Sequence, residues 1–261
     1  MTRTIGAQTG ADGTVRRRVI DVAGVDVRFG DVVAVSGLSF AVHEGERVAV
    51  LGQTGAGKST LLNLLVGALH PTSGTVRVAG LDPVADWAAM QGKIAIAFQS
   101  PRLMPWRTAV ANVALGLQIL GVDKAERVRR AEQWLDRVHL GDAVHRYPAQ
   151  LSGGMRQRVA LARAFAVQPD VLLLDEAFSA LDEVTAARLR ADFLDVAEEA
   201  GTTAVVVTHS IQEAFELAHR VIVLRRPATV AATFETAGHD LTDPTAVEEL
   251  RQQVRALMAS H

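Results

Sequence analysis

The chain has 261 residues, of which 49% are hydrophobic and 21% are charged, so it can bury a substantial core as one large domain or as one domain carrying an insertion. Its net charge of −2 gives no electrostatic reason to expect nucleic acid or anionic lipid as a partner. The absence of cysteine excludes disulfides and cysteine-ligated metals, and no apolar run approaches the roughly 18 residues that a membrane-spanning helix requires. We therefore expect a soluble chain in the cytoplasm.

The chain begins with a polar stretch rich in Gly and Thr, residues 1–18, which lacks the apolar segment of a signal peptide and is predicted to be a disordered tail. Strand-like segments then alternate with helical ones. Several of the strands are apolar almost throughout, which predicts a mostly parallel sheet buried on both faces, and the first ones alternate as an antiparallel flank would. The predicted strands are 19–29, 34–42, 47–51, 75–79, 94–98, 171–174, 204–208 and 221–224, and the helices of this core are 59–68, 183–200 and 211–218.

The segment between residues 101 and 168 has a different pattern, with no good strand and three stretches of helical spacing at 108–120, 124–140 and 152–167. We predict a helical subdomain, 101–163, inserted into an α/β core made of 19–100 and 164–236. The remaining residues, 237–261, form a C-terminal extension with a loop and one amphipathic helix that starts near Asp243 or Thr245.

The most informative short stretch is GQTGAGKST, which follows the apolar segment 47–51 and precedes a helical one. It fits the phosphate-loop pattern, in which glycines let consecutive backbone N–H groups point at anionic oxygens at a helix N-terminus. Lys58 would reach the β- and γ-phosphates of a nucleotide, Ser59 would bind Mg²⁺ and Thr60 would bond the α-phosphate. The alternative is an ordinary Gly-rich turn, which this context disfavours. The predicted phosphate-binding residues are Gly52, Gln53, Thr54, Gly55, Ala56, Gly57, Lys58, Ser59 and Thr60.

A second acidic motif, VLLLDEAFSALD, places two carboxylates at the end of an apolar strand, where open α/β sheets bind ligands. Asp175 would orient Mg²⁺ through water, and Glu176 would polarise an attacking water. The two acids could instead simply cap a surface strand. Paired with the phosphate loop, they predict a nucleotide hydrolase.

A third motif indicates which class of nucleotide hydrolase this chain resembles. LSGGMRQRVALARA places Ser152, Gly153 and Gly154 before a basic amphipathic helix, and it resembles the signature motif of ABC ATPases. The acidic strand follows at the family's spacing, and then come the D-loop, which ends at Asp182, and a switch histidine, His209 in VVVTHS. The resemblance covers residues 19 to about 226, in order.

Two further positions match the same family. Gln99 in IAFQS resembles the Q-loop glutamine, and Phe29 resembles the aromatic residue that stacks on adenine. Ala177 stands where many relatives have proline, Phe29 where tyrosine is more usual and Ser179 where glycine is frequent, but no catalytic group is lost. Taken alone, Phe29 would more often be a core residue and Gln99 a polar strand end.

The resemblance implies a P-loop NTPase (RecA-like) fold with a mixed sheet, an antiparallel β flank and an inserted helical subdomain. It also implies a head-to-tail homodimer, in which Ser152, Gly153 and Gly154 close on ATP that is held by the other chain. His209 would bond the γ-phosphate and hold the attacking water, and Gln99 would join Ser59 and Asp175 around Mg²⁺. Without the family context, Ser152 would be an N-cap and His209 a structural or surface histidine.

The stretch LMPWRT, followed by Asn112 and Val113, is similar to the ATPase subunits of nitrate, sulfonate and taurine importers. This implies docking of the helical region on a membrane permease at the cytoplasmic face of the membrane, with an extracytoplasmic solute-binding protein and a small anion as solute. Trp106 and Arg107 suit such an interface, although Trp106 could equally pack inside the helical subdomain.

Two other classes remain as alternatives. A non-transport ABC ATPase for DNA maintenance would need long coiled coils, whereas one for iron–sulfur assembly is disfavoured by the Pro-Trp-Arg stretch. A regulatory module that binds ATP without hydrolysing it is disfavoured by Glu176 and His209.

Overall fold

A computed structural model describes residues 17–238 and 244–259. Most of the predicted tail, and Asp243, lie outside the described residues. Arg18, which the prediction placed at the end of the tail, already belongs to the first strand. No helix within the described ranges is both long and apolar enough to span a bilayer.

The described residues form nine strands, seven α-helices and three short 3₁₀ helices. In chain order, the strands and α-helices are β1 (Arg18–Phe29), β2 (Val32–His43), β3 (Arg47–Leu51), α1 (Lys58–Leu65), β4 (Ser73–Val78), β5 (Ile94–Phe98), α2 (Ala109–Ile119), α3 (Lys124–Arg137), α4 (Gly153–Ala166), β6 (Val171–Asp175), α5 (Glu183–Glu199), β7 (Ala204–Thr208), α6 (Ile211–Leu217), β8 (Arg220–Arg225), β9 (Thr229–Glu235) and α7 (Pro244–Ala259). The 3₁₀ helices are Gly141–Ala143, Pro148–Gln150 and Thr236–Gly238.

The larger sheet has six strands in the order β5-β6-β7-β3-β8-β9, parallel from β5 to β8. Leu51 pairs with Thr208, and Asp175 pairs with Val207, so the carboxyl ends of β3, β6 and β7 lie side by side. This arrangement confirms the predicted parallel core and brings the segments that follow these strands to one edge.

The last strand of this sheet, β9, was not predicted. It pairs antiparallel with β8, and most of its side chains are only half-buried. The sequence TVAATFE gives a weak strand signal, because it has neither a long apolar run nor a sharp alternation of apolar and polar residues.

The second sheet has the antiparallel order β2-β1-β4, which confirms the predicted flank. Its inner face packs with α1 and with one face of the larger sheet in a continuous hydrophobic cluster. The opposite face of the larger sheet packs with α2, α3 and α4 in a second cluster. The larger sheet, including the edge where β3, β6 and β7 end, therefore lies between two separately packed layers.

A chain of aromatic rings joins the helical region to the sheet. Trp134 stacks on Phe165 at 5.1 Å between ring centroids, and Phe193 lies 6.0 Å from both Phe165 and Phe178. Contacts of this kind add roughly 0.5–1.5 kcal/mol each beyond the area they bury. Because Phe178 lies two residues after Glu176, the rings connect the helical region to the end of β6.

Five helices begin at a side-chain N-cap, at Thr108, Asp123, Ser152, Asp182 and Ser210. These caps explain why the helix starts were predictable from sequence within one or two residues. Helix α1 differs, because Gly57 precedes it and no side chain caps it. Its first N–H groups are therefore available to an anion.

Candidate functional site

A cavity of about 720 Å³ opens at the edge where β3 and β6 end. It contains most of the predicted phosphate-loop residues together with both acidic residues. Its lining consists of Val32, Val33, Ala34, Thr54, Gly55, Gly57, Lys58, Ser59, Thr60, Asp175, Glu176, Arg226 and Pro227.

The glycines of the loop are required by its shape at two positions. Gly57 has a φ of +87°, and a Cβ there would lie 2.5 Å from Ala228 Cβ. Gly55 has a φ of +79°, and a Cβ there would overlap the Arg226 guanidinium. Gly52 and Ala56 are packed within the same turn, in which Ala56 N–H donates to Gln53 O at 3.0 Å.

The buried Lys58 ammonium curls back over the loop. It donates to Gly52 O at 2.8 Å and to Gln53 O at 3.2 Å, and it lies 3.8 Å from Glu176 Oε1. Burial lowers the pKa of the Lys58 ammonium, and the carboxylates of Glu176 and Asp175 oppose that shift. The only lysine in the cavity wall is thus held between backbone carbonyls and a carboxylate, where a polyphosphate could replace these partners.

Glu176 occupies the centre of the site. Its backbone has a φ of +49°, which is unusual for a side chain other than glycine, and its N–H donates to Val207 O at 2.9 Å. Its Oε1 lies 3.3 Å from His209 Nδ1. Glu176 therefore contacts both predicted catalytic partners, Lys58 on one side and His209 on the other.

The predicted Mg²⁺ ligands are only partly brought together. Ser59 and Asp175 line the cavity, whereas Gln99 is exposed just after β5 and does not line it, although Phe98 pairs with Asp175. Burial, and then the charge of Glu176, raise the pKa of the Asp175 carboxyl. A half-buried carboxylate beside a second carboxylate and a hydroxyl fits a hard divalent cation, which would relieve this repulsion.

The turn that carries His209 is held by hydrogen bonds to Thr208 and Glu213, and the sequence analysis did not single out Glu213. Thr208 is buried and donates from Oγ1 to Glu213 Oε2 at 2.6 Å, while Ser210 N–H donates to Thr208 Oγ1 at 3.0 Å. Burial raises the pKa of the Glu213 carboxyl. The Ser-x-x-Glu spacing of Ser210 and Glu213 is a capping-box signature that could have drawn attention to it.

The signature residues lie outside this cavity. Ser152 caps α4 by accepting from Met155 N–H at 3.2 Å, and Asp182 caps α5 by accepting from Thr185 N–H at 3.0 Å. A Cβ on Gly154 would lie 2.7 Å from Thr185 Cγ2, so the two helix starts are in contact. Gly153 lies in the same first turn of α4. The chain therefore has a second polar group of residues, separate from the phosphate loop.

Phe29 is not part of the cavity wall. It ends β1 and is 52% exposed, whereas the apolar part of the wall comes from Val32, Val33 and Ala34 at the start of β2. The alternative that Phe29 belongs to the core is wrong.

Two polar residues of α4, which the sequence did not single out, connect this helix to the segment that contains Gln99. Buried Gln157 donates to Phe98 O at 2.8 Å. Arg163 donates to Pro101 O at 2.7 Å and to Arg102 O at 2.9 Å. A polar residue on the inward face of an amphipathic helix is the signal that could have identified Gln157.

Comparison with known proteins identifies the family. The profile described as "ABC transporter" matches residues 35–179. The nitrate transport protein NasD from Klebsiella oxytoca is 38% identical over 256 residues, spanning 90% of this chain and 94% of that protein. The taurine import ATP-binding protein TauB from Pseudomonas aeruginosa is 46% identical over 190 residues, spanning 73% of this chain and 71% of that protein. The Fe(3+) ions import ATP-binding protein FbpC from Brucella abortus is 42% identical over 211 residues, 81% of this chain but 60% of that protein's length.

Solved structures agree with the fold. The ATP-binding cassette MJ0796, in a dimeric post-hydrolysis state bound to ADP and Pi, has a TM-score of 0.72 and 32% identity over 83% of this chain and 98% of that one. CbiO1 from Clostridium perfringens, part of the ABC transporter complex cbiONQ, has a TM-score of 0.79 over 92% of this chain and 95% of that one. Because its sequence identity is only 24%, this likeness supports the fold alone. The predicted P-loop NTPase fold is confirmed, and the chain belongs to the ABC transporter family as one of its ATP-binding subunits that hydrolyse ATP in transport.

Proposed function

We propose that this chain is the ATP-binding subunit of an importer and that it works as a head-to-tail homodimer. The observation that carries the proposal is the separation, on one chain, of the two groups of residues that are predicted to bind the phosphates of ATP. The phosphate loop lines the cavity, whereas Ser152, Gly153 and Gly154 lie outside it at the start of α4. A second copy would supply the missing group to each cavity, as the dimeric form of a related cassette suggests.

The site residues have distinct roles in this proposal. Lys58 neutralises the β- and γ-phosphates of ATP, Glu176 accepts the proton of the attacking water, and His209 holds that water against the γ-phosphate. Ser59, Asp175 and Gln99 would hold Mg²⁺, which supplies charge neutralisation at the phosphates when bound. Phe29 would stack on adenine, and Asp182 would approach the interface between the copies.

The dimer proposal predicts that specific ATPase activity rises with chain concentration and that Ser152→Ala lowers it by at least about tenfold, because one charge-assisted contact to the phosphates is lost. Ser152 also caps a helix, so the matched control is Asp123→Ala, which removes only the cap of α3. Phosphate release measured over a range of concentrations tests this. Activity independent of concentration, with Ser152→Ala fully active, would contradict the dimer.

The helical subdomain, taken as residues 101–163 inserted between core segments 19–100 and 164–236, is the proposed docking surface for a permease. Trp106 is 72% exposed, so the alternative that it packs inside the subdomain is wrong. The loop that carries it is bonded to fully buried Asn112, which accepts from Met104 N–H at 2.7 Å and whose two amide N–H groups are shared among the carbonyls of Met104, Arg107 and Thr108. An exposed tryptophan on a fixed loop is the kind of anchor that protein interfaces use.

Replacing Trp106 with alanine should leave the isolated chain folded and active as an ATPase, while its recovery with the permease subunits from detergent-solubilised membranes falls at least about tenfold. Trp87→Ala is the matched control, because Trp87 is also exposed, at 61%, and lies outside the helical subdomain. Unchanged recovery of the Trp106 variant, or equal loss in the control, would remove Trp106 from the docking surface.

The solute is proposed to be a small anion, with the nitrate and taurine proteins as the supporting relatives. In this proposal the chain lies at the cytoplasmic face of the membrane, and an extracytoplasmic protein delivers the solute to the permease. The described α-helices between residues 101 and 168 have 11 to 14 residues, which leaves no room for the long coiled coils of DNA-maintenance ATPases.

A further inference from the structure

Arg226 makes a contact with the phosphate loop that neither the motifs nor the family profile mark. It follows the last residue of β8 and donates from Nε to Gly55 O at 2.8 Å and from Nη2 to Thr54 O at 2.7 Å. The guanidinium thus spans two successive carbonyls of the loop. Because the fork of an arginine is planar and rigid, such a paired contact fixes orientation as well as distance.

The backbone around Arg226 is itself held in place. Ala228 N–H donates to Ala34 O at 3.0 Å, and Ser36 N–H donates to Ala228 O at 3.2 Å, so the turn between β8 and β9 is bonded to β2. The absence of a side chain at Gly55 is what admits the guanidinium, since a Cβ there would overlap it. Arg226 is therefore an exposed arginine whose guanidinium is held against the phosphate loop by two hydrogen bonds.

The contact has an electrostatic consequence for the loop. When backbone N–H groups of a phosphate loop face the anion, neighbouring carbonyl groups point elsewhere and need partners. Arg226 satisfies two of them and adds a positive charge beside the cavity that it lines together with Lys58. Within the described part of the chain Arg226 forms no ion pair, and the two bonds use only two of its five N–H donors.

We propose that Arg226 is a nucleotide-affinity residue: it holds the Thr54–Gly55 part of the loop in its phosphate-binding shape and offers its uncompensated charge to the polyphosphate chain. This inference rests on the proposed ATP site. Arg226 does not contact Glu176 or His209. Its loss should therefore weaken the binding of ADP and ATP without slowing the chemical step.

The test compares Arg226→Gln with Arg226→Lys and with the control Arg225→Gln. Arg225 is the preceding residue, and its Nε bonds Thr229 Oγ1 at 3.4 Å, away from the loop. For Arg226→Gln we expect the Kd of MgATP and of MgADP, and the KM for ATP, to rise about tenfold, with kcat at saturating ATP within about twofold of the wild type. Arg226→Lys keeps the charge but cannot span both carbonyls, so it should recover part of the affinity.

The proposal is overturned if Arg226→Gln binds ATP and ADP as the wild type does, if Arg225→Gln is equally weakened, or if kcat falls while KM stays constant. A wild-type chain that neither binds nor hydrolyses ATP would instead remove the proposed function itself. The two failures are therefore distinguishable within one set of measurements.

Discussion

We expect Glu176→Gln to lower ATP turnover by about 10²- to 10⁴-fold and to make an ATP-bound dimer accumulate, because glutamine fills the same space but cannot accept a proton from the attacking water. Glu176 lies between Lys58 at 3.8 Å and His209 at 3.3 Å, so no other carboxylate in the cavity wall has the same two partners. Removing its negative charge also favours the polyphosphate. Phosphate release and size-exclusion chromatography with MgATP measure the two effects.

The control for this variant is Glu249→Gln, which neutralises an exposed carboxylate on α7 far along the chain from the site. It should turn over ATP normally and show no added dimer. A fully active Glu176→Gln chain would exclude Glu176 as the general base. Loss of turnover without accumulation of a dimer would count against pairing of two copies, although it would leave the catalytic assignment intact.

Lys58→Ala should abolish both ATP binding and hydrolysis, with a loss of at least about 100-fold in kcat/KM. The ammonium is the cation nearest to Glu176, and without it the carboxylates of Asp175 and Glu176 would face the polyphosphate uncompensated. The two variants are therefore expected to differ: Glu176→Gln binds ATP and does not turn it over, whereas Lys58→Ala fails to bind. Equilibrium binding of a fluorescent ATP analogue separates them.

Lys124→Ala provides the matched control, because Lys124 is an exposed lysine at the start of α3. It should bind ATP as the wild type does. The Lys58 variant should remain folded, because burial disfavours the charged ammonium and the alanine variant has no buried charge at this position. Normal ATP affinity in Lys58→Ala would contradict its assignment to the phosphate site.

The sequence was sufficient to predict the parts of the fold that have strong local signals. Three strands of the larger sheet, 47–51, 94–98 and 204–208, were predicted with their observed bounds, since short, mainly apolar runs are typical of strands. Five of the helices were predictable because a Ser, Thr or Asp cap precedes them, whereas α1 follows Gly57 and has no side-chain cap. The half-buried edge strand β9 has neither signal, and it was missed for that reason.

The site likewise contains residues that local motifs predict and residues that only the folded chain reveals. Lys58, Ser59, Asp175 and Glu176 meet in one cavity, as expected from motifs that follow neighbouring parallel strands. Arg226 was not predictable, because its role depends on a turn 171 residues from Gly55 that only the folded chain brings to the loop. The positions of Phe29 and Gln99 outside the cavity wall depend equally on long-range packing, which no local pattern encodes.

The close approach of Gly154 to Thr185 has a mechanical consequence. Since a Cβ on Gly154 would lie only 2.7 Å from Thr185 Cγ2, the starts of α4 and α5 pack closely and leave no space for a larger side chain at residue 154. Helix α4 is also tied through Gln157 and Arg163 to the stretch 98–102. In the proposed homodimer, a displacement of that stretch would therefore be passed through α4 to Ser152, at the surface that would meet the second copy.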